Sequence, residues 1–244
     1  MARQIPWDTE VFGFSVAQIE TLEVVDPSSV SDDYRKFQDW LDAREIKIAS
    51  CRLPHDRLRE SMFLESKGFR FIEMVLHPKI EKLQSLDFLP DNLIAIPALA
   101  NDLPALREIA EHAFSHERYH IDPRLDPRLG DARYGQWVVN TLSHPRQRLL
   151  KVMEGDRIAA LFIVESKENQ SVYWHLTAIA PQWQGRGYGW RVWRMMLRHH
   201  QAEGQDGVMT TISARNVAVL NLYVKLGFRF LQPEMTFHWV RESG

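Results

Sequence analysis

The stretch Gln184-Gly185-Arg186-Gly187-Tyr188-Gly189 places three glycines within five positions, between a strand-like run and a helix-like run. The preceding run, Ser171 to Ala180 (SVYWHLTAIA), is rich in β-branched and aromatic residues, and Pro181 closes it. The following run, Trp190 to His200 (WRVWRMMLRHH), contains neither Gly nor Pro. Glycines in such a turn let the backbone approach a ligand and expose consecutive N–H groups. Those donors sit at a helix N-terminus, where the dipole also favours an anion. The expectation is a pyrophosphate cradle, with a purely structural glycine turn as the competing reading.

Two other phosphate-binding turns fit poorly. A P-loop ends in Gly-Lys-Ser/Thr, whereas Tyr188-Gly189-Trp190 stands here. A dinucleotide site wants an acidic residue at a strand end roughly 20 residues on. Glu203 and Asp206 are in range but lie in a polar Glu-Gly-Gln-Asp-Gly loop. The spacing Gln184-x-x-Gly187-x-Gly189, late in the chain, instead resembles the acetyl-CoA loop of the GCN5-related N-acetyltransferases. Downstream, Asn216, then Tyr223, then Gly227-Phe228 is similar to the second half of that family's signature.

The resemblance implies coenzyme contacts from Gln184, Gly185, Arg186, Gly187, Tyr188, Gly189 and Asn216. It implies further contacts along the backbone of Leu176, Ala178 and Ile179, where the pantetheine arm lies as an added strand. A backbone N–H of Ala178 or Ile179 then polarises the thioester carbonyl. Tyr223, two helical turns after Asn216 and roughly on its face, becomes the acid that protonates the departing thiolate. Physical readings stand beside these roles. Asn216 is placed as a helix N-cap, Tyr223 as a packed aromatic with a satisfied hydroxyl, and Gly227 as a C′ glycine.

The family fold is α/β (α+β): a mixed, mostly antiparallel sheet flanked by helices. The chain reads accordingly from residue 91 to 244. It shows strand 93–97, helices near 103–114 and 132–142, and a hairpin from 148–153 to 158–166 turning at Glu154-Gly155-Asp156-Arg157. Strand 171–180, helix 189–202, strand 207–213, helix 216–226 and strand 228–240 follow. Pro90-Asp91-Asn92 is a turn signal, so residues 1–90 are expected to form a smaller αβ domain and 78–92 a linker. That first domain reads as helix 31–43, strand 46–52, helix 56–66 and strand 69–77. Lys67-Gly68-Phe69-Arg70-Phe71 echoes Leu226-Gly227-Phe228-Arg229-Phe230. The echo suggests a reduced copy of the later half, without a glycine-rich turn and so without coenzyme.

A length of 244 residues allows one large or two smaller domains. Hydrophobic content of 45% supports a core, and a net charge of −2 gives no general attraction to nucleic acid. No apolar run approaches the roughly 20 residues of a membrane span, and MARQIPWDTE lacks an apolar leader. A cytoplasmic protein without membrane or nucleic-acid partners is the expectation. Cys51 reads as a buried inert thiol, and no metal is expected, because His116 and His120 flank Glu117 in an order unlike a zinc motif.

The acceptor side is less constrained. Phe114 to Pro123 (FSHERYHIDP) concentrates polar, aromatic and titratable groups between two helices. With Trp7-Asp8-Thr9-Glu10-Val11-Phe12-Gly13 and Tyr134-Gly135-Gln136-Trp137, it resembles the sugar-nucleotide branch of the family. Arg118, Tyr119, His120 and Asp122 are the acceptor candidates. Arg118, Arg124 or Arg128 suits a diphosphate, and Tyr119 or Trp137 suits a sugar or base; a solvated loop with surface ion pairs is the alternative. Alternation along the strand places His175 on the face of Tyr173 and Thr177. There it can serve as the general base or simply be a core histidine. Transfer to another small amine, transfer to a protein amine, and a non-catalytic CoA-binding module are the rival functions. A homodimer is also among the expected partners.

Overall fold

The computed structural model describes residues 1–25 and 27–242. The first third of the chain forms β1 (Ala2–Gln4), α1 (Pro6–Phe12), β2 (Val16–Ile19), α2 (Pro27–Ala43), β3 (Ile48–Pro54), α3 (Leu58–Ser66), β4 (Arg70–Leu76) and β5 (Pro78–Glu81). Next come β6 (Ile94–Pro97), α4 (Leu103–His112), α5 (Arg118–Ile121), α6 (Arg128–Thr141), β7 (Gln147–Glu154), β8 (Arg157–Lys167) and β9 (Ser171–Ile179). The remainder is α7 (Tyr188–Ala202), β10 (Gly207–Thr210), β11 (Ile212–Ser213), α8 (Val217–Lys225), β12 (Arg229–Phe230) and β13 (Glu234–Val240). Among the described residues, no helix is long and apolar enough to cross a membrane.

Two mixed sheets result. The first runs β1-β2-β3-β13-β4-β11 and the second β12-β5-β10-β9-β8-β7-β6. Among the described residues only β2·β3 and β9·β10 are parallel. Each parallel pair is joined by a long helix, α2 or α7, as a parallel connection requires. The helices α7 and α8 cover one face of the second sheet, where Val192, Trp193, Met196 and Tyr223 meet Phe162 and Trp174. The helices α4 and α6 cover the opposite face through Leu106, Ile109, Tyr134 and Val138. The first sheet packs on α2 and α3 through Tyr34, Leu41 and Leu64.

The sequence echo marks a structural one. After each parallel pair the chain makes a helix (α3 or α8), turns at a glycine with φ +84 (Gly68) or +86 (Gly227), and enters a strand (β4 or β12). Phe69 and Phe228 are buried in the two corresponding cores. The last strand of each half then crosses over. β5 inserts between β10 and β12, and β13 inserts between β3 and β4. The expected boundary between residues 90 and 91 therefore coincides with neither sheet. The stretch expected as a linker contributes β5, and the single strand expected over 228–240 breaks at Pro233, so that β12 and β13 lie in different sheets. The segment 207–213 also divides, β10 pairing with β9 and β11 with β4. Trp7 to Phe12 is helical, with Pro6 at the first turn and Gly13 closing it at φ +73.

Candidate active site

The parallel pair β9·β10 is matched only from Ser171–Trp174 to Gly207–Thr210. Beyond Trp174, β9 keeps β8 on one side, while the chain after Thr210 leaves for the first sheet through β11. The far edge of Leu176–Ile179 is left without a strand neighbour, which is the setting for an extended ligand to add as a strand. His175 lies where this opening begins. Ile163 pairs with Leu176 and Val164 with Trp174, so His175 is the extra residue of a β-bulge. A bulge reverses the alternation. Val172 and Trp174 face the α7 core, whereas Leu176 and Ala178 face the α4–α6 core. Thr177 is thereby carried to the Tyr223 side. The shared face of Tyr173, His175 and Thr177 expected from strict alternation ends at this bulge.

A cavity of about 830 Å³ runs from this edge to the first sheet. At one end it is lined by Leu176 to Ile179, by Gln184, Gly185, Gly187 and Gly189, and by Asn216 and Tyr223. Gly185 and Gly187 have φ +70 and +76, a backbone region that side-chain-bearing residues adopt at a cost. A Cβ on Gly189 would meet Leu222 at 3.2 Å and Ile179 at 3.7 Å. Gln184 Nε2 donates to the Ile179 carbonyl at 2.9 Å and closes the turn. Asn216 caps α8, its Oδ1 accepting from the Val219 N–H at 3.3 Å. Open φ-positive glycines before a helix start, together with the free strand edge, fit the pyrophosphate and arm of a coenzyme.

Two residues of the turn point elsewhere. Neither Arg186 nor Tyr188 lines the cavity. The Tyr188 ring packs on Trp183 at 4.4 Å and its hydroxyl donates to Glu154. Glu154 also accepts from Arg191, which grips Asp91 at 2.7 Å. Tyr188 thus ties the start of α7 to the β7–β8 hairpin.

Tyr223 is buried, and burial raises its phenol above the usual value, opposed by Trp193, Thr210 and Thr177 beside it. The group is a neutral O–H at neutral pH, as a proton donor must be. His175 Nε2 lies 2.8 Å from Glu165 Oε2. Glu165 is buried and ionised, its carboxyl pulled down to about 2, chiefly by Lys167 at 2.8 Å and then by His175. Burial lowers the His175 pKa, with Glu165 opposing.

The other end of the cavity comes from the first half of the chain and was not anticipated. Gln18, Ser50, Arg52 and Glu73 line it, opposite His116, Glu117, Arg118, Arg133 and Trp137. Glu73 is 2% exposed, Arg52 NH2 is 3.9 Å from its Oε1, and its Oε2 has no partner among the described residues. Burial, then the charge of Glu117, pushes its carboxyl up to about 7 against the pull of Arg52 and Arg118. Charged residues inside the apolar strands IASCRLP and RFIEMVL were the available signal.

Of the four acceptor candidates only Arg118 reaches the cavity. Tyr119 points into the core, its hydroxyl donating to Asp8 Oδ2 at 3.0 Å. Asp8 also takes Arg133 Nε at 2.9 Å, so this buried carboxylate fixes two arginines of the wall. His120 sits against Gly130, where a Cβ would be 2.3 Å from its ring, and contacts Asp131 at 3.1 Å. Asp122 is fully buried between His238 (3.0 Å) and Arg124 (2.8 Å). A four-residue helix spreads its side chains around its axis, so neighbours of Arg118 face the protein. Arg124 is held in that buried pair and Arg128 is paired with Asp126 at the surface.

Cys51 is buried, and burial raises its thiol to about 12, so it supplies no nucleophile. His199, His200 and Glu203 cluster closely enough to suggest a metal. The Trp174 indole donates to His200 Nε2 at 3.0 Å, so the ring proton is on Nδ1 and is given to Glu203 at 3.1 Å. Glu203 is also clamped by Arg148 at 2.7 and 2.9 Å. His200 and Glu203 are thereby committed to other partners, while His199 Nε2 makes no hydrogen bond among the described residues.

Comparison with known proteins follows the same lines. The family model described as acetyltransferase (GNAT) family matches residues 103–228. The spore coat polysaccharide biosynthesis protein SpsD of Bacillus subtilis is 20% identical over 232 residues, covering 95% of this chain and 80% of that protein. The dTDP-fucosamine acetyltransferase of Escherichia coli O6:H1 is 26% identical over 150 residues, covering 60% of this chain and 62% of that one. A shorter match, 33% over 69 residues, is to mycothiol acetyltransferase of Frankia casuarinae; it covers 28% of this chain and only 20% of that protein's length. The crystal structure of a GCN5-related N-acetyltransferase from Sphaerobacter thermophilus shares the fold with a TM-score of 0.69 at 12% identity, over 100% of this chain and 77% of that one.

Proposed function

The chain belongs to the acetyltransferase (GNAT) family, and on that premise we propose that it moves an acetyl group from acetyl-CoA to the amine of a nucleotide-linked amino-deoxysugar. The observation that carries this reading is the continuous cavity, with a coenzyme-type groove at one end and the Glu73, Arg52 and Arg118 group at the other. The charged lining of its far end, Arg52, Glu73, Glu117, Arg118 and Arg133, offers hydrogen-bond partners to a small hydroxylated amine. One relative, a dTDP-fucosamine acetyltransferase, supports this substrate class, and another is a polysaccharide biosynthesis protein.

In this reading acetyl-CoA supplies the activated acetyl group, and the chain's residues hold, orient and exchange protons. The N–H groups of Gly185 to Gly189 hold the pyrophosphate, and the open edge of Leu176–Ile179 aligns the arm, with Ala178 or Ile179 N–H on the carbonyl oxygen. Glu73 takes the acceptor proton, directly or through a water, because its carboxyl is matched to neutral pH and keeps one oxygen free. His175, the base expected from sequence, lines the same cavity with its Nε2 on Glu165 and its pKa lowered by burial, and is the alternative base. Tyr223 gives its proton to the departing sulfur. Holding both substrates at attack distance supplies much of the rate.

The test is free-CoA release with mass spectrometry of products, over a panel of amines that includes nucleotide-linked 4-amino-4,6-dideoxyhexoses. Turnover only with these sugars supports the reading; turnover only with lysine peptides or polyamines sinks the acceptor. Glu73→Gln is expected to lower kcat by roughly 10²- to 10³-fold. It should also remove the acidic limb expected in the native protein, a rate that increases as pH rises through about 7. An intact limb in that variant would return the base role to His175.

A further inference from the structure

Asp8 stands behind the cavity rather than in it. It is 3% exposed, belongs to α1 at the start of the chain, and lies outside the cavity lining. Its two oxygens serve two guanidiniums of the wall. Oδ1 accepts from Arg133 Nε at 2.9 Å. Oδ2 accepts from the Tyr119 hydroxyl at 3.0 Å, and that hydroxyl accepts from Arg118 Nη2, also at 3.0 Å. Arg118 Nη2 is itself 4.0 Å from Asp8 Oδ2. Rings hold the Arg133 guanidinium as well, its centre being 4.5 Å from Trp7 and 5.4 Å from Trp137. Those two indoles meet edge-on at 5.9 Å. A guanidinium carries five N–H donors and no acceptor. Beyond the bonds just named, the donors of Arg118 and Arg133 have no acceptor among the described residues, and both residues line the cavity. Glu117 lines the same end and lies in no ion pair among the described residues.

We propose that Arg118 and Arg133 form an anion subsite for the diphosphate of the acceptor, and that Asp8 is the positioning residue that holds both. This rests on the reading of the acceptor as a nucleotide-linked amino-sugar. Phosphate oxygens suit the pair because a guanidinium fork gives parallel N–H bonds, whereas an ammonium gives only a point charge. The arginine side chains are 17% and 15% exposed and are anchored before any ligand arrives. Little side-chain freedom is therefore left to lose on binding. A single carboxylate shared by two guanidiniums fixes their direction without occupying all their donors. The subsite shares one cavity with Glu73 and with the coenzyme groove. A diphosphate held at the far end leaves the sugar amine to point towards the acetyl group. The first helix of the chain thus acts on acceptor choice through two arginines, without touching the acceptor itself.

The experiment measures kcat and KM for a nucleotide-linked 4-amino-4,6-dideoxyhexose and for the same sugar without its nucleotide diphosphate. Native protein is compared with Arg118→Met, Arg133→Met and Asp8→Asn. Each variant should raise KM for the nucleotide-linked sugar roughly tenfold or more, the worth of a hydrogen bond to a charged group. The loss should fall on KM rather than kcat, and it should be far larger for the nucleotide-linked sugar than for the bare one. With both arginines replaced, adding Asp8→Asn should cost nothing further, because Asp8 acts through them. An unchanged KM, an equal loss on both sugars, or a further loss from Asp8→Asn in that background overturns the proposal. Should Asp8→Asn not fold, Tyr119→Phe cuts the link from Asp8 to Arg118 instead. The same KM should rise, and a native KM overturns the positioning role. If native protein acetylates neither sugar, the proposed function fails, and the subsite is tested by binding alone. Thymidine diphosphate is titrated calorimetrically into protein saturated with CoA, which fills the glycine turn. Binding that weakens roughly tenfold in Arg133→Met upholds the subsite; no binding, or equal binding by both proteins, overturns it.

Discussion

The two halves of this chain follow one path and do different things with it. β2-α2-β3-α3-β4 and β9-α7-β10-α8-β12 share a parallel strand pair, a crossover helix, a second helix, a left-handed glycine and a closing strand. They differ most in the turn before the crossover helix. In the second half this turn is Ala180 to Gly187, with Gly185 and Gly187 at positive φ. In the first half it begins Glu20-Thr21-Leu22-Glu23-Val24-Val25 and contains no glycine. The Val24 N–H is taken by the buried Glu60 carboxylate at 3.2 Å rather than offered to a ligand. The same topology is thus an anion cradle where the backbone is open and an acidic, self-satisfied corner where it is not. The first half instead lends Arg52 and Glu73 to the cavity of the second.

The sharpest way to break the comparison is to separate the halves. β13 fills the centre of the first sheet, pairing with both β3 and β4 along most of its length. A fragment of residues 1–90 loses that strand and exposes two unpaired edges. It is expected to lack cooperative unfolding by circular dichroism, and to regain it when a peptide of residues 231–242 is added. A sigmoidal melt from the fragment alone would mean that the exchange is decorative and that 1–90 is an independent domain.

The next effect is local to the second half. Gly187→Val puts a β-branched residue at φ +76, where strain costs roughly 1–2 kcal/mol, and places methyl groups over the pyrophosphate donors. KM for acetyl-CoA should rise by roughly tenfold or more by the anion-site argument, while the first-half core is untouched. An unchanged KM would show that the coenzyme does not use this turn.

The difference in legibility between the halves has a physical basis. The glycine turn, the Asn216 cap and the Gly227 stop are local demands of backbone geometry, so a single sequence displays them. The strands β1, β2 and β5 have three or four residues each, too few for a hydrophobic period to be visible. Their pairing is tertiary, as is the exchange. The bulge at His175 adds one residue without any compositional mark and reverses every later side chain, which is why Thr177 was expected on the wrong face. Glu73 and Arg52 are charges inside two apolar strands, and only the tertiary pairing, with β13 between those strands, brings them together. Arg118 reaches the cavity while Tyr119, His120 and Asp122 do not, because loop composition says nothing about which way a single helical turn points.

The smallest expected effect compares a buried histidine of the first sheet with one on the helix that covers the second. His238 on β13 and His200 on α7 are both lowered to about 4, first by burial, with Asp122 and Glu203 respectively pulling the other way. Both rings are neutral in the fold, whereas in the unfolded chain they take up a proton near the usual 6.5. Their contribution is therefore present above about 6.5 and is lost as pH falls towards 4. The midpoint of thermal unfolding should drop by roughly 5–10 °C across that window, less the opposing gain from Glu73, whose raised carboxyl takes up a proton in the fold below about 7. His238→Gln and His200→Gln should each remove part of the slope. Because β13 belongs by sequence to the second half and by packing to the first, His238 also reports on the exchange. If only His200→Gln flattens the profile, the β13 insertion opens before the second sheet does, and the two halves unfold separately.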